Sequence, residues 1–182
     1  MLIIEKVSKM KWEKFIRLHI LSPAGMGSSK LTMDSEPTEN VAHAYKIVNK
    51  TYQEYDQGEC PKMFTATNGG VWSNINDLRK FMNALKYCQF LKCETIKLSE
   101  QILLPNNWYS PHTPPHTFCW FANGVSFNTG DFNIEYAGNG GGYRSHLIFF
   151  PEKDLTIICL SNNSTDYSKI LLTELSNFHF IK

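Results

Sequence analysis

The chain has 182 residues, 42% hydrophobic and 19% charged, enough apolar material for one domain with a real core. Its 18 Lys and Arg against 17 Asp and Glu leave a formal net charge of +1, so nothing in the overall charge favours nucleic acid or an anionic membrane. No apolar run approaches the roughly 18 residues of a membrane span. Glu5 and Lys6 interrupt Leu2-Ile3-Ile4 before it can form the apolar stretch of a signal peptide.

In chain order, residues 2–20 read as helical, with Leu2, Ile3, Val7, Met10, Phe15, Ile16 and Ile20 near helical spacing and a break at Ser8-Lys9-Met10. Pro23 and Gly25 end this region. Residues 22–70 show no sustained period and read as mostly irregular. The clearest helix covers 73–87, with Ser73 as its N-cap and Ile75, Leu78, Phe81, Met82 and Leu85 on one face. A short helix is expected from Ser99 through Leu104, then a Pro-rich loop over 105–117.

From Phe118 the period becomes that of strands. Four runs are expected, 118–127, 132–137, 143–150 and 155–160, separated by Asn128-Thr129-Gly130-Asp131, Asn139-Gly140-Gly141 and Pro151–Asp154. Turns this short make an antiparallel meander, and Asn-Gly is a hairpin signal because both positions tolerate positive φ. A final helix follows Asn162-Asn163-Ser164, with Tyr167, Ile170, Leu171, Leu175 and Phe178 on one face. Helices, then strands, then a helix give an α+β fold, an antiparallel sheet with flanking helices. We read residues 1–182 as a single domain, helical and loop-rich over 1–117, sheet and terminal helix over 118–182.

Five cysteines, Cys60, Cys88, Cys93, Cys119 and Cys159, are odd in number and match no zinc spacing. They read as free thiols; Cys119 and Cys159 fall in apolar runs where a buried thiol is common. A Cys88–Cys93 bridge is the alternative, and requires an oxidising compartment. His112 and His116 lie in the Pro-rich loop without a third ligand, so the reading is a solvated loop, with no metal and no cofactor. A weaker reading makes them the site of an unrelated α+β enzyme. Trp120 is expected to pack in the core, and His146 to pack or pair across the sheet.

Several segments together resemble the superfamily of serine β-lactamases, DD-peptidases (penicillin-binding proteins) and esterases. Leu2–Lys9, Trp12-Glu-x-Phe-Ile and Ile20-Leu-x-Pro-x-Gly-Met26 are similar to the family's helix running into its Pro-Leu-Gly-Met turn. Gly69-Gly-Val-Trp-Ser73-Asn-Ile-Asn-Asp77-Leu is similar to its Gly-Gly-x-x-Ser-Thr-x-x-Asp-Leu helix start. Phe118-Cys-Trp120 stands where Tyr-Gly-x-Gly-Trp is usual. Tyr136–Asn162 resembles the hairpin of His-x-Gly-x-x-x-Gly-Phe-x-Ser, its Phe-Pro-Glu turn and the next strand.

The resemblance implies a partial β-lactamase/transpeptidase-like fold and a parent that transfers or hydrolyses acyl groups of β-lactams, peptides or esters. Such chemistry uses a Ser-x-x-Lys nucleophile, a Tyr-x-Asn or Ser-x-Asn proton relay, and a Lys-Thr-Gly or His-x-Gly strand beside an oxyanion hole. Only the third place falls in this sequence; by the resemblance, the other two precede Met1. Ser8-Lys9-Met10-Lys11 fits Ser-x-x-Lys as a string, but Ser8 matches a bend in the family's later helix. No catalytic residue is therefore assigned, and this chain alone is expected to be inactive, a truncated pseudoenzyme. The alternative is a non-catalytic binding or interaction module on the same scaffold.

Counting back from Pro151 puts the His-x-Gly place on Tyr136-Ala137-Gly138, with Gly142-Tyr143-Arg144-Ser145 on Gly-Phe-x-Ser. A rival register puts Asn139-Gly140-Gly141 there. The preferred register implies substrate contacts from Tyr136, Gly138, Asn139 (through its N–H) and Tyr143. The partner expected in the parent is a small-molecule or peptide acyl substrate. With strands missing from one side of the sheet, the exposed edge is expected to promote self-association. The family is often found in the cell envelope or periplasm.

Overall fold

The computed structural model describes residues 2–31, 40–54, 70–103, 116–122, 132–140 and 142–163. The expected terminal helix, His112, Cys60 and the turn at 128–131 lie outside the described residues.

The amino-terminal region splits where the sequence breaks its period. Helix α1 (Leu2–Ser8) ends because Lys9 takes a left-handed φ of 59° and the Ser8 hydroxyl accepts the Met10 N–H. Glu5 then reaches forward to accept the Trp12 N–H at 3.1 Å, capping α2 (Trp12–Ile16). A π-helical turn, Arg17–Leu21, carries the chain into Ser22–Gly25. Leu21, Ala24 and Met26 meet Ala84 in one buried cluster, with Ile16, Leu31, Leu78 and Phe81 around it.

Residues 22–70 depart from the irregular reading. Strand β1 (Lys30–Leu31) pairs with β4 (Val71–Trp72), and β2 (Tyr45–Val48) pairs with β3 (Thr51–Glu54) in an antiparallel hairpin. The hairpin turns on Asn49 and Lys50, both at positive φ. A turn with positive φ at both central residues suits strand twist, but Lys is a rare second residue there, so the signal was weak.

Helix α3 (Ile75–Lys86) is capped one residue later than expected. Asn74, not Ser73, accepts the Asp77 N–H at 2.9 Å, leaving the Ser73 hydroxyl to meet that of Ser29. Helix α4 is Cys93–Ser99, so Ser99 closes a helix it was expected to open. Cys88 and Cys93 form a disulfide across the α3–α4 loop; the free-thiol reading is wrong for this pair. Cys119 is exposed, not buried.

Strands β5 (Phe121–Ala122), β6 (Ile134–Gly140), β7 (Tyr143–Phe150) and β8 (Leu155–Ser161) form an antiparallel sheet in the order β5-β6-β7-β8. Residues 118–120 bend before β5, Trp120 donating its N–H to the Thr117 hydroxyl. Gly140 pairs with Tyr143, so Asn139-Gly140 is strand rather than turn, and Gly142 beyond it takes the left-handed φ of 85° that glycine adopts at little cost. Between β7 and β8, Pro151–Lys153 makes a 3-10 turn closed by Asp154 in the left-handed region. Ile148 and Phe150, each 1% exposed, pack with Leu155 and Ile157 as a second core. Each such side chain contributes roughly 1.5–3 kcal/mol.

Candidate functional site

The site candidates sit on the β6–β7 hairpin. Along β6 alternate residues face opposite ways, so Ile134, Tyr136 and Gly138 share one side and Glu135, Ala137 and Asn139 the other. Ile134 is buried while Tyr136 is 50% exposed, so the apolar face opens to solvent within two residues. Strand β5 pairs only with Ile134 and Glu135. Among the described residues, no strand covers the outer edge of Tyr136–Gly140.

Gly138 lies opposite Ser145. A Cβ on Gly138 would sit 2.6 Å from the Ser145 Oγ, closer than two unbonded atoms can stand. A Cβ there would displace the exposed Ser145 hydroxyl, so the position favours glycine for close approach rather than for φ. In the preferred register these are the Gly of His-x-Gly and the Ser of Gly-Phe-x-Ser, facing each other across the ladder.

Tyr143 pairs with Gly140 and, by register, shares the Tyr136 side. Its hydroxyl donates to the Ala42 carbonyl at 2.9 Å, and its ring meets Trp72 edge-on at 5.2 Å. The Tyr136 ring lies 6.2 Å from that of Phe121. The structure thus brings Tyr136, Gly138 and Tyr143 onto one side and sends the Asn139 side chain to the other.

Sequence reading missed the support behind Tyr143. Trp72 follows from β4, and β4 is fixed through the start of α3. Asp77, 1% exposed, accepts the Ser28 N–H at 2.8 Å, the Ser29 hydroxyl at 2.9 Å and the Lys80 ammonium at 2.9 Å. Lys80 also donates to the Gly25 carbonyl. Burial works against the Asp77 charge, but the bonds from Lys80, Ser29 and Ser28 outweigh it and hold the carboxyl below its ordinary value. The Ser-x-x-x-Asp string signalled this anchor, although its partners 48 residues away could not be read from it.

On the opposite face, the Glu135 carboxylate and the His146 Nε2 lie in hydrogen-bond contact at 2.9 Å, with side chains 7% and 15% exposed. His146 therefore pairs across the sheet, as its mid-strand place suggested. Trp120 is half-buried beside Ile134 and Phe149. The His116 ring packs on Phe121 at 4.7 Å, and among the described residues no three His, Cys, Asp or Glu side chains gather as metal ligands. The Ser8 string has no helical geometry, since Lys9 leaves the helix before Lys11 is reached. Among the described residues no helix is long and apolar enough to cross a membrane.

Comparison with known proteins bears on this geometry. The family model described as Beta-lactamase matches residues 2–172. Penicillin-binding protein 4* of Bacillus subtilis (strain 168) is 26% identical over 182 residues, 93% of this chain and 39% of its own length. The octameric penicillin-binding protein homologue from Pyrococcus abyssi superposes with a TM-score of 0.76 at 23% identity, over 97% of this chain and 39% of that one. The D-amino acid amidase from Ochrobactrum anthropi SV3, complexed with D-phenylalanine, gives 0.75 at 16% identity, over 98% and 56%. These superpositions show a shared fold, and this chain spans only part of each larger relative.

Proposed function

The chain belongs to the β-lactamase family of serine hydrolases, and from that premise we propose that its 182 residues supply the sheet-edge wall of an acyl-transfer site and do not catalyse by themselves. The observation that carries this reading is the β6–β7 hairpin, with Gly138 pressed against Ser145 and the outer edge at Tyr136–Gly140 open among the described residues.

Each residue then has a role. Tyr136 stands in the place of the family's Lys or His and offers a hydroxyl toward a substrate carboxylate or a proton path. Gly138 keeps the strand close to its neighbour. The Asn139 N–H is the oxyanion donor, to be completed by the N–H of a nucleophilic serine. Tyr143 acts from behind, because its hydroxyl is committed to Ala42. With no Lys or His on this strand end, the wall is less positive than is usual in the family. It therefore suits neutral acyl substrates, esters or amides, better than carboxylate-bearing ones. The 182 residues act as one unit, since Tyr143 to Ala42, Asn162 to His43 and Lys86 to Asp154 tie the helical part to the sheet.

The test uses the purified chain with a fluorescent penicillin, a p-nitrophenyl ester and a fluorophosphonate. No covalent adduct and no turnover above buffer are expected. A stoichiometric adduct on any serine would sink the proposal. If the DNA upstream of Met1 encodes Ser-x-x-Lys and then Tyr-x-Asn in frame, the longer product should be labelled by the penicillin or ester. Tyr136→Phe in that product should slow acylation about 10²–10⁴-fold, the range of a lost proton-transfer group.

A further inference from the structure

We propose that the Cys88–Cys93 disulfide is a redox-controlled clip that holds α4 as a lid over an apolar cavity on the sheet. Apart from this bridge, α4 is weakly held. None of its residues is buried. Cys93, Glu94, Thr95, Lys97 and Leu98 are exposed, and only Ile96 and Ser99 turn partly inward. A seven-residue helix with so little packing is marginal in water.

Two tethers fix it. At its amino-terminal end Cys93 is bonded to Cys88, just past the end of α3, with a Cα–Cα separation of 5.2 Å. Beyond its carboxy-terminal end the Leu103 N–H donates to the His116 carbonyl at 2.8 Å. The α3 end of the clip is itself anchored, because Lys86 pairs with Asp154 in the turn before β8. Between the tethers lies a small cavity lined by Met82 and Leu85 of α3, Ile96 of α4, Trp120, and Ile134 and Phe149 of the sheet. Glu100 also lines it, and burial pushes its carboxyl above the ordinary value, with Lys97 opposing. The lid thus carries a group that prefers water to the cavity.

Cys93 is exposed and Cys88 half-buried, so a reductant can reach the bond. A dithiol supplies the two electrons. One thiolate attacks a sulfur of the pair, the S–S bond breaks, and a mixed disulfide forms. The second thiolate displaces it, leaving two protein thiols and a cyclic disulfide. The clip closes again by the reverse exchange: a small-molecule disulfide is attacked by one protein thiolate, and the second protein thiolate displaces the mixed disulfide, so the small molecule leaves as two thiols carrying the two electrons.

Hydrogen exchange of the full chain, with and without dithiothreitol, tests this, alongside Cys88→Ser/Cys93→Ser. Reduction should speed exchange over residues 93–99 at least tenfold while 75–86 and 143–150 keep their rates. The double variant should match the reduced chain and ignore dithiothreitol. An apolar dye such as ANS should brighten on reduction in the wild-type chain only. Equal rates over 93–99 in both states would overturn the clip. Equal acceleration over 75–86 and 143–150 would also overturn it, showing a global staple. A thiol count in denaturant must find two fewer thiols in the oxidised chain than in the reduced one; equal counts would show that no bridge forms.

Discussion

At the scale of single residues, Gly138 is the sharpest case. Gly138→Ala puts a methyl 2.6 Å from the Ser145 hydroxyl, and the exposed Ser145 side chain must turn away to relieve it. Urea denaturation should show a loss of about 1 kcal/mol, the low end for overpacking, recovered by adding Ser145→Gly. No recovery would mean that the contact is not the cause. Asp77 is a second case. Its charge is favoured in the folded chain, so its contribution is complete above the unfolded value, near 3.8, and fades as pH falls through the lower folded value. Asp77→Asn keeps the shape but weakens the bond from Lys80, and should cost about 1–3 kcal/mol at pH 7. The gap to wild type should close in melts run well below pH 3.8. Glycine at 138 and aspartate at 77 were both legible as strings; that one answers to a hydroxyl and the other to a backbone N–H, 7 and 49 positions away, was not.

At the scale of elements, α1 to α3 and β6 to β8 followed their periods, whereas β1 to β3 and α4 arose where the sequence showed no period for them. Both Ser73 and Asn74 can cap α3, and Asn74 does so because Ser73 is engaged by Ser29. Asn74→Ala should therefore cost about 1 kcal/mol in thermal or chemical melts, whereas Ser73→Ala should leave the α3 cap intact. Asn139 and Gly140 likewise stay in β6, opposite Arg144 and Tyr143, although Asn-Gly is also a turn signal. Helix α4 offers a test of opposite sign. Because burial raises the Glu100 value, its ionised form is penalised in the fold. Glu100→Gln should raise the melting temperature at pH 7. The advantage should vanish below the ordinary glutamate value of 4.5, where wild-type Glu100 is neutral too. A variant less stable than wild type at pH 7 would contradict this.

At the scale of the whole molecule, β8 is the last strand of the sheet among the described residues. Among the described residues no strand pairs with its outer edge, although Tyr45 donates its N–H to the Asn162 carbonyl just past the strand's end. All seven β8 residues are half-buried, and Leu155–Leu160 is a largely apolar run. An open edge of this kind is a template for another strand. We therefore expect the purified chain to self-associate, with β8 amides gaining exchange protection as concentration rises. A monomer by light scattering at high concentration, with β8 protection unchanged, would refute this.

The sequence by itself determined the α+β class, the meander and the family resemblance, because periodicity and turn residues act over a few positions and survive in any string. Through that resemblance it also pointed to Tyr136, Gly138, Asn139 and Tyr143 as substrate contacts. Only the tertiary structure decided that Gly138 faces Ser145, that Tyr143 is held by Ala42 and Trp72, and that Cys88 and Cys93 join. The Tyr143 contacts link segments far apart in the chain, and the two local ones depend on where the β6–β7 hairpin sets its register and on where α3 ends and α4 begins. Their geometry is set by how elements pack, which no local pattern records.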